Sequence, residues 1–183
     1  MGEHLAHVVT EIDPQTLTHP TLAFLRGYWE TKRGDRAMPA RADIRPFDLK
    51  EHLGWMLMVD VLPDLSDFRF KLIGTYVTQY FLGDSTGKTV SEAFASHNPM
   101  VSKVLKSLLR MTARDRVPVR AFGDADWIGP GFEKFDAIYL PLSDDGETVN
   151  MILHGFVFDK SEVLMAREIA RANGGQLLVV PKG

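Results

Sequence analysis

The sequence predicts an α+β fold: a five-stranded antiparallel sheet with a helical insert after its second strand, flanked by an N-terminal and a C-terminal helix. Three observations predict it. Phe68-Arg-Phe-Lys-Leu-Ile73 alternates large apolar residues with Arg69 and Lys71, the period of two of a strand with one buried face. After Pro99, the residues Val101, Val104, Leu105, Leu108 and Leu109 recur three and four apart, the stripe of a helix lying on a sheet. Three strand-like runs then follow at 117–123, 133–142 and 149–159, separated by Gly129-Pro130-Gly131 and Asp144-Asp145-Gly146.

Taken in order, residues 1–20 show little pattern and form an N-terminal extension. His19-Pro20 precedes a helix whose apolar positions are Leu22, Leu25, Tyr28 and Trp29, ending near Gly34. Pro46 fits the first turn of a short helix to about Leu53, with Asp43 as its cap. The run 55–62 reads as a strand interrupted only by Asp60. The turn Pro63-Asp64-Leu65-Ser66-Asp67 then makes it a hairpin with Phe68-Arg-Phe-Lys-Leu-Ile73. Strand parity puts Phe68, Phe70 and Leu72 on one face. Gly74-Thr75 lets the chain leave the sheet, 76–82 turns back as a short helix stopped by Gly83, and 89–94 forms another short helical piece. The main domain spans 21–160. Ser161 caps a C-terminal helix to about Asn173, followed by an apolar tail, in a terminal segment 161–183.

A chain of 183 residues has room for one domain with a proper core. The net charge of -3 argues against a nucleic-acid partner held through phosphates. With no cysteine, disulfides, thiolate metal sites and thiol nucleophiles are excluded together. The first residues lack a basic region followed by a long apolar core, and no apolar run approaches the roughly 20 residues of a membrane span. A cytoplasmic protein without membrane contact is expected.

Several short motifs in this order resemble one known family. Tyr28-Trp29 and Arg33-Gly34 lie in the first helix, followed by Met38-Pro39-Ala40-Arg41-Ala42-Asp43-Ile44. Asp60 ends a strand; Phe68, Phe70, Leu72, Gly74 and Thr75 mark the next; Gly83 and Thr86-Gly87 mark the loop beyond. Leu140-Pro141-Leu142-Ser143, Asp145-Gly146 and Met151-Ile152 complete the set. Over roughly 22–158 the chain resembles a PAS domain, in particular the bacterial single-domain PAS family. The resemblance implies a PAS-like fold and a sensory or regulatory role, and it implies no substrate.

No catalytic constellation is visible, and an enzyme is not expected. Gly83-Asp-Ser-Thr-Gly-Lys-Thr89 invites a phosphate-loop reading, but only three residues separate its glycines where four are needed. His4 and His7 are close without a third ligand, so no metal is expected. His97 lies near where haem-binding PAS domains place their iron ligand, but just before the helix rather than inside it. Neither haem nor flavin is expected, and the cofactor is unknown. Asp60 and Arg69 read as a cross-strand ion pair. His154, in an apolar strand, reads either as hydrogen-bonded structure or as a polar contact to a bound molecule.

An aromatic and methionine-containing set, with Tyr76 and Trp127 in it, suggests a largely apolar cavity between the sheet and the insert. The candidate lining residues are Phe70, Leu72, Tyr80, Phe81, Phe94, Leu105, Leu108, Phe122, Tyr139, Met151 and His154. Because 55–62 is apolar on both faces, the second face also needs covering. The N-terminal helix is the candidate, from its own chain or from a second subunit, and a homodimer through it is expected. The leading functional reading is a sensory or regulatory module that binds a small apolar or amphipathic molecule and signals through protein contacts. The alternative is a ligand-free dimerising adaptor with a filled core.

Overall fold

The alternating hexapeptide is a strand with the predicted ends. In β3, Phe68–Ile73, Phe68 and Phe70 are fully buried while Arg69 and Lys71 face solvent. This computed structural model describes residues 6–95 and 98–160, except for the side chains of Phe81 and Leu82. The expected helix after Ser161 lies outside the described residues.

Among the described residues, six strands rather than five make one antiparallel sheet, in the order β1-β4-β5-β6-β2-β3. They are β1 Ala6–Val9, β2 Met56–Val61, β3, β4 Val119–Asp124, β5 Phe132–Leu142 and β6 Met151–Lys160. The extra strand, β1, pairs Ala6 with Gly123 and Val9 with Arg120 along the outer edge of β4. It escapes a pattern reading because it has four residues and is largely exposed, so no alternation develops.

The insert between β3 and β4 holds α2 Thr75–Val77, α3 Val90–Phe94 and α4 Pro99–Asp115, and α2 runs on through a π-helical turn at Thr78–Leu82. Gly74 is required where the chain leaves β3: a Cβ there would lie 2.2 Å from the Leu53 carbonyl oxygen and 2.4 Å from that of Gly54. Thr89 and Glu92 close a reciprocal capping box on α3. The Asn98 side chain accepts the Val101 amide at 3.2 Å, and α4 ends at Arg116 in the left-handed region.

Register fixes the two faces. Ile73, Leu57, His154, Tyr139 and Val119 form one row across five strands, on the face beneath α4. The neighbouring row, Met56, Gly155, Ile138 and Arg120, belongs to the opposite face. There α1, Pro20–Arg33, lies on the sheet with Leu22 and Leu25 fully buried. A Cβ on Gly155 would come within 2.8 Å of the ends of both leucines. The Trp29 indole donates to the Pro141 carbonyl at 2.8 Å, pinning the far end of the helix. The second apolar face is therefore covered by the chain's own N-terminal helix.

Four local expectations change. The β2–β3 register skips Lys71, so Phe70 faces Val59 while Leu72 faces Met58. Val59 and Met58 are consecutive, and the bulge thus puts Phe70 and Leu72 on different faces. Arg69 stands opposite Asp60 in the register, but the ion pair to Asp60 is made by Lys71, at 3.4 Å. Residues 41–55 form three short 3-10 turns, Arg41–Asp43, Pro46–Leu49 and Leu53–Trp55, rather than one helix from Pro46. Asp43 does not cap that segment, because its carboxylate accepts the Ala40 amide and the Arg36 guanidinium, each at 2.8 Å.

Candidate ligand-binding cavity

The stripe on α4 does not close completely on the sheet. Between them lies a cavity of about 400 Å³, within the range typical of small-molecule sites. α4 contributes Met100, Val101, Val104, Leu105 and Leu108, one per turn or closer, as the helical period requires. The sheet contributes Leu57 from β2, Phe135 and Tyr139 from β5, and His154 and Phe156 from β6. Val77 and Trp127 close the sides. Trp127 is held by its indole N–H donating to the Asp124 carbonyl at 2.8 Å, and its ring meets Phe135 edge-on at 5.4 Å. The wall is mostly aromatic and aliphatic, with a few polar groups.

The central polar group is His154. It is buried, lines the cavity, and among the described residues neither ring nitrogen has a hydrogen-bond partner. Burial pushes its pKa down from 6.5 to about 3, so the imidazole is neutral at physiological pH. Its ring stacks on Tyr139 at 4.2 Å. Burial also pushes the Tyr139 phenol well above its usual pKa. A neutral imidazole presents one donor and one acceptor, and leaving either unmet in a dry interior costs about 1–3 kcal/mol. Of the two readings open for His154, hydrogen-bonded structure is therefore not what the protein atoms provide.

Around the edge, Asn98 spends its side-chain oxygen on capping α4, and the exposed Asp124 carboxylate is ion-paired with Lys134. That pairing raises the lysine's pKa. Among the described residues, no lysine or arginine lines the cavity.

The sequence-derived candidates distribute themselves as follows. Leu105, Leu108, Tyr139 and His154 line the cavity. Phe70, Phe94 and Met151 are buried in the core. Leu72 is half-buried beyond the bulge. Tyr80 lies in an aromatic cluster with Phe132 and Phe158, with the Lys160 ammonium 3.5 Å above its ring. The side chain of Phe81 lies outside the described residues, as do His4 and His97. Leu57, Phe135 and Phe156 were not singled out from the sequence, although strand parity could have found two of them: Phe156 is two residues from His154 and Phe135 four from Tyr139.

Phe122 belongs to a second, more polar cleft of about 580 Å³ beside β1. There Arg120 pairs with Asp136 at 2.8 Å, donates to the Thr16 hydroxyl at 2.7 Å, and lies over the Phe122 ring. Phe122 in turn stacks on His7. These contacts tie the N-terminal segment to the sheet.

The glycine-rich 83–89 segment binds its own chain. The Gly87 amide donates to the Phe70 carbonyl at 2.7 Å, and the Phe70 amide donates to the Lys88 carbonyl at 3.0 Å. It therefore covers the outer edge of β3. Among the described residues, no group of three or more His, Cys, Asp or Glu side chains could hold a metal ion, and no helix is long and apolar enough to cross a membrane.

No curated protein matches the chain. The solved structure of an RNA-binding light-oxygen-voltage receptor matches with a TM-score of 0.43 at 13% identity, covering 94% of this chain and 43% of that one, so the chain spans less than half the receptor's length. A family model described as PAS domain matches residues 17–156. That match takes in the sheet from β2 to β6, both covering layers and the cavity between α4 and the sheet; the chain belongs to the PAS domain family, whose members are sensory and regulatory modules.

Proposed function

We propose that this PAS domain senses a small apolar or amphipathic molecule bound in the cavity between α4 and the sheet, and transmits its occupancy through contacts with another protein. The observation that carries this reading is the pairing of an apolar cavity of about 400 Å³ with a buried histidine whose ring nitrogens have no partner among the described residues. A bound molecule offering a hydrogen-bonding group removes the cost of that unmet imidazole, and the apolar wall supplies the remainder of the binding energy by burial. α4 is the natural reporter. Val101, Leu105 and Leu108 line the cavity, and Met100 and Val104, also in its wall, are exposed to solvent. Filling the cavity thus acts on a helix that a partner can touch. Output by protein contact, including a homodimer through α1, and the absence of an enzymatic reaction are parts of the same proposal.

The test is to compare the native mass of the purified protein with its denatured mass, and to screen metabolites for a rise in melting temperature. A retained or stabilising small molecule supports the reading. If no mass is retained and no compound stabilises, the ligand-free adaptor takes its place.

A further inference from the structure

We infer that the molecule taken up by the cavity is uncharged and carries a hydroxyl or amide group that hydrogen-bonds His154, on a flat, unsaturated body. This rests on the reading of the cavity as a ligand site and names the chemistry it selects.

Three lining residues are titratable: Asp124, Tyr139 and His154. Asp124 is exposed and already paired with Lys134, so it offers an incoming cation little. Among the described residues, no lysine or arginine stands in the wall to neutralise a carboxylate or phosphate. Nor does His154 supply a positive charge near neutral pH, since burial holds it in the neutral form. An ion entering this space loses its water without gaining a partner, which is the costliest exchange a binding site can impose.

A neutral polar group meets the opposite situation. The imidazole has one donor and one acceptor unmet. A hydroxyl can donate or accept, so it suits either tautomer; an amide offers one group of each kind. The body of the ligand is set by the surfaces beside His154. Tyr139 stacks on it, and Phe135, Phe156 and Trp127 stand in the same wall. Offset and edge-on contacts with such rings favour a planar partner.

The experiment titrates the full-length protein, at about pH 7.5, with naphthalene, naphthol and naphthoate, which share one ring system and differ in the polar group. Naphthol is expected to bind about five- to tenfold more tightly than naphthalene, the worth of one net hydrogen bond. Naphthoate is expected to bind at least about tenfold more weakly than naphthol. In His154→Leu, naphthol and naphthalene should bind alike, because only the hydrogen bond has gone. In the unmodified protein, the imidazole nitrogen resonances of His154 should shift on addition of naphthol and stay unmoved by naphthalene. Naphthoate binding as tightly as naphthol, or an advantage of naphthol that survives in His154→Leu, overturns this inference and leaves the ligand reading standing. A co-purified acid or amine does the same. If none of the three probes binds and nothing co-purifies, the ligand reading itself falls, and this inference with it.

Discussion

The imidazole of His154 and the phenol ring of Tyr139 stack across adjacent strands, with centroids 4.2 Å apart and planes 21° from parallel. The register makes them direct cross-strand partners, and Leu57 continues the row on the other side of His154. Both residues are buried and both line the cavity under α4. An unmet polar group in such a place lowers stability unless a guest meets it, and the predictions below follow from that relationship and from the packing around it.

Replacing His154 by leucine should leave the ligand-free protein as stable or make it more stable, by about 1 kcal/mol, because a similar volume stays filled and an unpaired polar group disappears. Urea unfolding of the two proteins measures the difference. A loss above about 2 kcal/mol would mean that the imidazole is hydrogen-bonded within the folded chain.

The same histidine sets a pH dependence. Its folded pKa, about 3, lies below the 6.5 expected when exposed, so the unfolded state binds more protons between these values. Stability must therefore fall as pH drops from about 6.5 towards 3, with about 2 kcal/mol lost between pH 7 and pH 5 from this group. His19 and His52, whose pKa values burial also lowers, act in the same direction, as do carboxylates with depressed pKa values such as Glu30 and Asp43. All of these are retained in His154→Leu. Parallel unfolding titrations of the two proteins should show a shallower acid loss in the variant; identical slopes would contradict the buried, neutral assignment.

Phe70 is fully buried on the edge strand of the sheet, opposite Val59. Phe70→Ala should cost about 3–5 kcal/mol, read as a lower urea midpoint at unchanged slope. A cost under about 1 kcal/mol is incompatible with that burial.

Two glycines should differ sharply. At Gly74 an added methyl meets backbone oxygens that cannot rotate away, so Gly74→Ala should lose more than about 3 kcal/mol or fail to fold. At Gly155 the methyl meets only the ends of Leu22 and Leu25, which can shift, and Gly155→Ala should cost about 1–3 kcal/mol. Thermal denaturation of the two variants orders them. Equal effects would argue that Leu53–Gly54 does not lie against the exit of β3.

These contacts also mark where the sequence was legible. β3 and α4 were found because Phe68, Phe70 and Leu72, and likewise Val101, Leu105 and Leu108, carry unbroken periods of two and of three to four. A short edge strand such as β1 has no buried face to impose a period, and the bulge at Lys71 leaves alternation in the letters while breaking it in space. The candidate lining residues divided for a related reason. Periodicity tells which face a residue is on, but not where along the sheet the covering helix stands off. Phe70, Phe94 and Met151 are in closed core, while Tyr139 and His154 lie where a gap is left. That the His154 nitrogens have no partner among the described residues depends on every neighbour at once, and no single stretch of sequence carries that information.

The central claim is that a guest occupies the space between α4 and the row Leu57, His154 and Tyr139. A crystal structure of the protein grown with naphthol tests it most directly. The account predicts density for one ring system against Tyr139 and Phe156, with its hydroxyl oxygen within hydrogen-bonding distance of a His154 ring nitrogen. A structure in which Val101, Leu105 and Leu108 close onto the sheet and leave no room for the ring would contradict it.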